Sequence, residues 1–214
     1  MLRSTSRVIL TAVASATLVS TVLEAQIVRR APVRREPNWG GVSVGIAQGY
    51  ALADGSTNAT WSFGSGLEYA GRFEHPLRSG IAVGVQAAYA RPSLTYSSPE
   101  CTCDATATVT QLVGVLHYGR GYTFHPVYEL AAGVIGYSNF RRADDATVKL
   151  GSGSTDYDFR ISIGYGLGFG VAPNASIEVV QEFGTILHQK TGLAGSSSSY
   201  PRVYVTRLGG KIAF

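Results

Sequence analysis

Charged side chains spaced two and four residues apart carry the clearest chemistry in this chain: Asp158 with Arg160, Glu178 with Glu182, and Arg207 with Lys211. Residues of equal parity on a strand point to one side, so each pair projects from a single face. Glu68 and Arg72 have the same relation upstream, and Gln86 and Glu129 take matching positions on two further segments. Among these ten residues are five acids and four bases. Buried charges persist only when paired and hydrogen-bonded, so a set this balanced predicts an interior salt-bridge network. The alternative is a gated polar passage through the same residues.

Other reactive types are sparse. Cys101-Thr-Cys103 can close a small loop disulfide in an oxidising compartment, or remain as thiols free to pair with another molecule. Two thiols alone make a poor site for a soft metal. His75, His117, His125 and His188 are scattered without any metal-ligand spacing, so no metal and no cofactor are expected. The run Ser196–Ser199, with Gly192 and Gly195, reads as loop sequence.

The elements that must position the charged set are strands. From Tyr157 to Val171 the chain alternates without a slip: Tyr, Phe, Ile, Ile, Tyr, Leu, Phe and Val on one face, Asp158, Arg160, Ser162 and four glycines on the other. Glycine packs nothing and weakens a strand, so a glycine face against water is unexpected. It suits the crowded inside of a narrow barrel whose greasy face meets lipid. At 15 residues the stretch also far exceeds an ordinary soluble strand.

Arg3 and Arg7, the apolar run Val8–Leu23 and small Ala25 describe a secretory signal helix, residues 1–25. No later segment is apolar and long enough for a membrane helix, so a membrane-spanning form must be a barrel. The net charge of +4 sits at the front of the chain: residues 39–214 hold twelve Lys or Arg and twelve Asp or Glu. This removes nucleic acid as an expected partner. Residues 26–38, with Arg29, Arg30, Arg34, Arg35, Pro32 and Pro37, read as a basic linker.

Eight strands are predicted: Trp39–Tyr50, Thr60–Arg72, Gly80–Arg91, Thr106–Tyr118, Val127–Tyr137, Tyr157–Val171, Ser176–Thr185 and Arg202–Phe214. Short proline-bearing turns, Phe73–Ser79, Gly119–Pro126 and Ala172–Ala175, alternate with longer polar loops, Ala51–Ala59, Pro92–Ala105, Ser138–Asp156 and Ile186–Pro201. Those loops show no alternation of their own. Strand parity puts Gln111 and His117 inside as well. Trp39, Trp61, Phe63, Tyr69, Tyr89, Tyr118, Tyr128, Tyr157, Phe159, Tyr204 and Phe214 are expected near strand ends or on the outer face, as an aromatic belt.

In this sorting of turns and loops, residues 39–214 resemble the small eight-stranded OmpA/OmpX-type barrels of Gram-negative outer membranes. Tyr204, Leu208, Ile212 and terminal Phe214 share one face and resemble the insertion signal read by the barrel-assembly machinery; Gly210 departs from that pattern. The resemblance implies an all-β, up-and-down transmembrane barrel with periplasmic termini, lipid and lipopolysaccharide as neighbours, and a monomeric state. Arg91, Arg141, Arg142, Lys190 and Arg202, in or beside the loops, could pair with lipopolysaccharide phosphates or serve as plain surface charges. Lipid A deacylases, also eight-stranded barrels, carry His-x-Ser-Asn late in the chain. Here His188-Gln-Lys190-Thr191 has lysine at the nucleophile position, so an esterase is the remote alternative and no enzyme is expected. The expected role is a plugged scaffold for surface interaction or envelope integrity. Porin-like transport of small solutes or apolar molecules is the alternative.

Overall fold

The computed structural model describes residues 36–54, 59–78, 80–119, 123–145, 147, 150, 156–188 and 201–214. The expected signal helix and all but the end of the basic linker lie outside them. The described residues form eleven strands: β1 (Trp39–Ala47), β2 (Tyr50–Asp54), β3 (Ala59–Phe63), β4 (Gly66–Arg78), β5 (Ile81–Ala90), β6 (Ser93–Ser97), β7 (Thr102–Tyr118), β8 (Phe124–Arg142), β9 (Asp156–Ala172), β10 (Ala175–Leu187) and β11 (Arg202–Ala213).

Eight of them, β1, β4, β5, β7, β8, β9, β10 and β11, pair antiparallel in a closed ring. The first and last strands seal it, from Trp39 opposite Ala213 to Ala47 opposite Val205. Closure leaves no strand edge within the ring. The residues flanking this seam also meet, through the Phe214 N–H donating to the Asn38 carbonyl at 2.9 Å.

Three strands are additions to the expected eight. The loops Ala51–Ala59 and Pro92–Ala105 contain most of β2, the start of β3, all of β6 and the first residues of β7. Together β2, β3, β6 and the upper reaches of β7 and β8 continue the wall beyond the ring. The wall kinks where it crosses from one to the other, because backbones crowd there. A Cβ on Gly49 would stand 2.5 Å from the Phe63 carbonyl oxygen.

That kink reverses a rule. In the ring the outside is apolar and the inside polar. In the continuation Ser62, Ser93, Thr95 and Thr102 face out, while Leu52, Trp61, Phe63, Leu94 and Tyr96 are buried. Parity is lost at Gly64–Ser65, so Trp61 and Phe63 belong to an inner core and are no part of the aromatic belt. A β-bulge likewise re-aims the end of β8: Asn139 has φ 55°, and Tyr137 and Phe140 both point inward.

The ring's outer face is a continuous band of Val42, Leu67, Tyr69, Val85, Leu112, Leu130, Ile163, Leu167, Val179 and Leu208, with Tyr89, Tyr118, Tyr128, Tyr157 and Phe159 among the bordering aromatics. An apolar surface this extensive is far beyond the patches water-soluble monomers expose. It requires an apolar solvent. Ile163, on this face, is 61% exposed. Ile163→Arg is expected to lower the unfolding free energy of the barrel in bilayers by roughly 2–4 kcal/mol, read as a shift in the urea midpoint. An unshifted midpoint would mean that this face is not against lipid.

Candidate functional site

All ten predicted network residues point into the ring. The hub is Glu129 on β8. Its carboxylate accepts from both Arg72 on β4, with Nη2 at 3.0 Å, and Arg207 on β11, with Nη2 at 2.5 Å. Gln86 on β5 binds the same two guanidiniums: Arg72 donates to its Oε1 from Nε at 3.0 Å and Nη2 at 2.6 Å, and Arg207 from Nη1 at 2.6 Å. Such forked donation is what a guanidinium offers and an ammonium does not.

From this hub the network runs both ways. Toward the loop end, Arg207 lies 3.2 Å from Glu182, Glu182 pairs with Arg160, Arg160 donates to Gln111, and Gln111 donates to Glu68 at 2.8 Å. Toward the turn end, Arg72 lies 3.2 Å from Glu74, and Lys211 joins Glu74 at 3.3 Å to Glu178 at 2.7 Å. His117 fills the gap, with Nδ1 at 3.3 Å from Glu129 and Nε2 at 3.2 Å from Lys211. Gly164 gives the hub its space, since a Cβ there would lie 3.3 Å from that of Glu129.

Glu74 was missed by the sequence reading, which ended the strand at Arg72 and placed Phe73–Ser79 in a turn around Pro76. In fact β4 runs to Arg78 and absorbs Pro76 beside an irregularity in register. The alternation of Arg72 with Glu74 was the available signal.

Asp158 stands apart from the network. It accepts from His188 Nδ1 at 2.8 Å, and His188 Nε2 lies 2.8 Å from the Ala53 carbonyl. Both ring nitrogens face acceptors, so satisfying both takes a hydrogen on each. Nδ1 is thus engaged on Asp158 and Nε2 on Ala53. Lys190, Thr191 and Ser196–Ser199 lie outside the described residues.

Among the described residues, the network and the Asp158–His188 pair hold six acids (Glu68, Glu74, Glu129, Asp158, Glu178 and Glu182) and four permanent cations (Arg72, Arg160, Arg207 and Lys211). His117 and His188 both face carboxylates. His117, Glu129 and Glu178 lie close enough to share a metal, with ligand atoms within 4.8 Å of one another. The Lys211 ammonium already stands among them, where a metal's charge would be.

Above Glu68 the character changes, and the expected charge network does not extend through the whole interior. Trp61 meets Phe140 with ring centroids 4.5 Å apart, Phe63 meets Tyr137 at 5.5 Å, and Tyr50 stacks on Phe63 at 4.9 Å. Leu52, Leu94, Tyr96, Ile135, Ile186 and Val203 complete this core. The change of parity at Gly64–Ser65 turns Trp61 and Phe63 inward and the one at Asn139 turns Phe140 inward, whereas Leu94, Ile135, Ile186 and Val203 keep the parity of the buried residues lower on their walls and differ from them only in being apolar. Cys101, in the β6–β7 connection, packs against the core and is joined by a disulfide to Cys103 at the start of β7. Arg142, on the rim, is held by Asp144 at 2.5 Å, which pulls the Asp144 carboxyl below its usual range. Arg91 and Arg202 are exposed, and Tyr204, Leu208, Ile212 and Phe214 share the outer face of β11.

Two small cavities lie among the described interior residues. A cavity of about 30 Å³ lies beside Arg72, Glu129 and Arg207, and one of about 20 Å³ beside Tyr50, Glu68 and Gln111. Each is on the scale of a water molecule.

A closed antiparallel ring of eight strands, polar within and apolar without, is the small outer-membrane type of barrel. Neisserial surface protein A has this fold: its structure matches with a TM-score of 0.52 at 13% identity, covering 82% of this chain and 97% of that one. Ail of Yersinia pestis, in complex with the heparin analogue sucrose octasulfate, matches at 0.48 and 16% identity, covering 83% and 99%. OprG of Pseudomonas aeruginosa matches at 0.48 and 13%, covering 84% and 97%. No family model and no curated relative matches the chain.

Proposed function

We propose that this protein is a closed scaffold of the bacterial outer membrane, which holds a rigid sheet and loops outside the cell and conducts nothing through its centre. The filled interior carries this reading. A side-chain network braces the ring from Glu68 to Glu178, a second core seals the loop end, and the cavities beside them are only about 30 and 20 Å³. An eight-stranded barrel is just wide enough for side chains to fill it. The polar outer face of the continuation, with Ser62, Ser93, Thr95 and Thr102 exposed, supports placing the loop end in water beyond the bilayer, with both termini on the periplasmic side. Insertion by the barrel-assembly machinery through Tyr204, Leu208, Ile212 and Phe214, a monomeric state, and lipopolysaccharide around the wall complete the proposal.

Planar-bilayer recording separates scaffold from channel. The purified barrel is expected to give a flat trace across the range of voltages the bilayer tolerates. Reproducible single-channel steps would overturn the plugged-scaffold reading in favour of porin-like transport. Recovery as a soluble periplasmic protein on fractionation would overturn the membrane placement itself.

A further inference from the structure

Arg202 opens β11 at the loop end, points outward, and makes no ion pair among the described residues. Its row across the wall reads Ile161, Thr185, Arg202, and the next row reads Ile163, Phe183, Tyr204. Thr185 is the small member of the first row, and its Oγ1 is turned onto the Pro201 carbonyl at 3.3 Å. The result is a shallow, open depression on the outer wall, bordered by these side chains with Ser162 and Gly184 between them. Phe183 is fixed between Tyr165, stacked at 5.6 Å, and Tyr204, edge-on at 5.5 Å, so one wall of the depression is rigid.

We propose that this depression binds one phosphorylated lipid of the surrounding leaflet, an acyl chain lying against Ile161, Ile163, Phe183 and Tyr204 and its phosphate on Arg202. This rests on the membrane placement above. The groove is apolar, so in lipid its natural occupant is hydrocarbon. The single cation stands where the apolar wall gives way to the loops, the level of the headgroups. A guanidinium there is complementary to phosphate, which it can grip with two parallel N–H donors. A neutral lipid would leave that charge unanswered, and a free anion would leave the groove empty.

The test is native mass spectrometry of the whole barrel in dodecyl maltoside micelles, with hexa-acylated lipid A carrying both phosphates as the probe. The wild type is expected to retain one lipid A. Arg202→Gln should weaken retention by about tenfold, and Thr185→Phe, which fills the groove and keeps the charge, should weaken it comparably. Arg142→Gln, whose guanidinium is already held by Asp144, should behave as wild type. Lipid A stripped of phosphate should bind as poorly as the Arg202→Gln variant does, and millimolar inorganic phosphate should not displace intact lipid A. Equal retention by wild type and Arg202→Gln would overturn the proposal, as would equal loss in Arg142→Gln or full displacement by phosphate. Folding is read separately, as heat-modifiable gel migration. A wild type that never folds in micelles sinks the membrane placement, whereas folded variants without dependence on Arg202 sink only the lipid site.

Discussion

Glu129→Ala is expected to lower the unfolding free energy of the micelle-folded barrel by about 3–5 kcal/mol, measured as a shift of the urea midpoint. The size follows from what the carboxylate holds. Arg72 and Arg207 both donate to it, and His117 lies 3.3 Å away, all within a buried interior. Removing one partner of a buried pair leaves an uncompensated charge, and here two guanidiniums lose their shared counter-charge together. Gln86 still binds both, but a neutral amide cannot offset them. The pairing itself contributes less than its loss would suggest, because both partners are desolvated to form it. Hence Arg72→Met with Glu129→Leu should recover much of the lost stability, since Arg207 keeps Glu182 at 3.2 Å. A single-variant loss below about 1 kcal/mol, the scale of exposed pairs, would show that water reaches the hub.

Trp61→Ala is expected to cost about 3–5 kcal/mol, the range for a large aromatic removed from a core. Its effect should fall on a different layer. Trp61 is 3% exposed and packs on Phe140 and Tyr137 in the wall's continuation, above the charged network. The ring is closed by its own ladder, and the core shares with it upper residues that include Ile135, Ile186 and Val203 of β8, β10 and β11. Limited proteolysis should therefore cut the variant within the continuation, while heat-modifiable migration persists. A variant that loses the folded band altogether would show that ring and continuation are one cooperative unit.

The ring was legible because its physics is uniform. From Tyr157 to Val171 every step obeys one alternation, and β9 spans Asp156–Ala172. The same parity carried Glu68, Gln86, Glu129 and Glu182 to the inside from sequence alone. Legibility failed where the environment changes along one strand. Trp61 and Phe63 were assigned to the outer belt because a single parity was extended through Gly64–Ser65, where the wall kinks and reverses its faces. Glu74 was lost because proline was read as the end of a strand that in fact tolerates it beside an irregularity. The Asp158–His188 contact has no local signal: its members are 30 residues apart, and the Ala53 carbonyl that completes it is 135 residues from His188. Which side chains converge in the lumen depends on the register of all eight strands, and alternation sets a side chain's face without setting its height.

Those long separations bear on time. Lys211 reaches Glu74 across 137 residues, His188 reaches Ala53 across 135, and Arg207 reaches Gln86 across 121. None can form until the last strands have joined the first, so they are expected to form late in folding. Interactions made after the transition state slow unfolding and leave the folding rate nearly unchanged. The network thus acts as a catch on a finished ring, and what it chiefly sets is how long the barrel, once closed, stays shut.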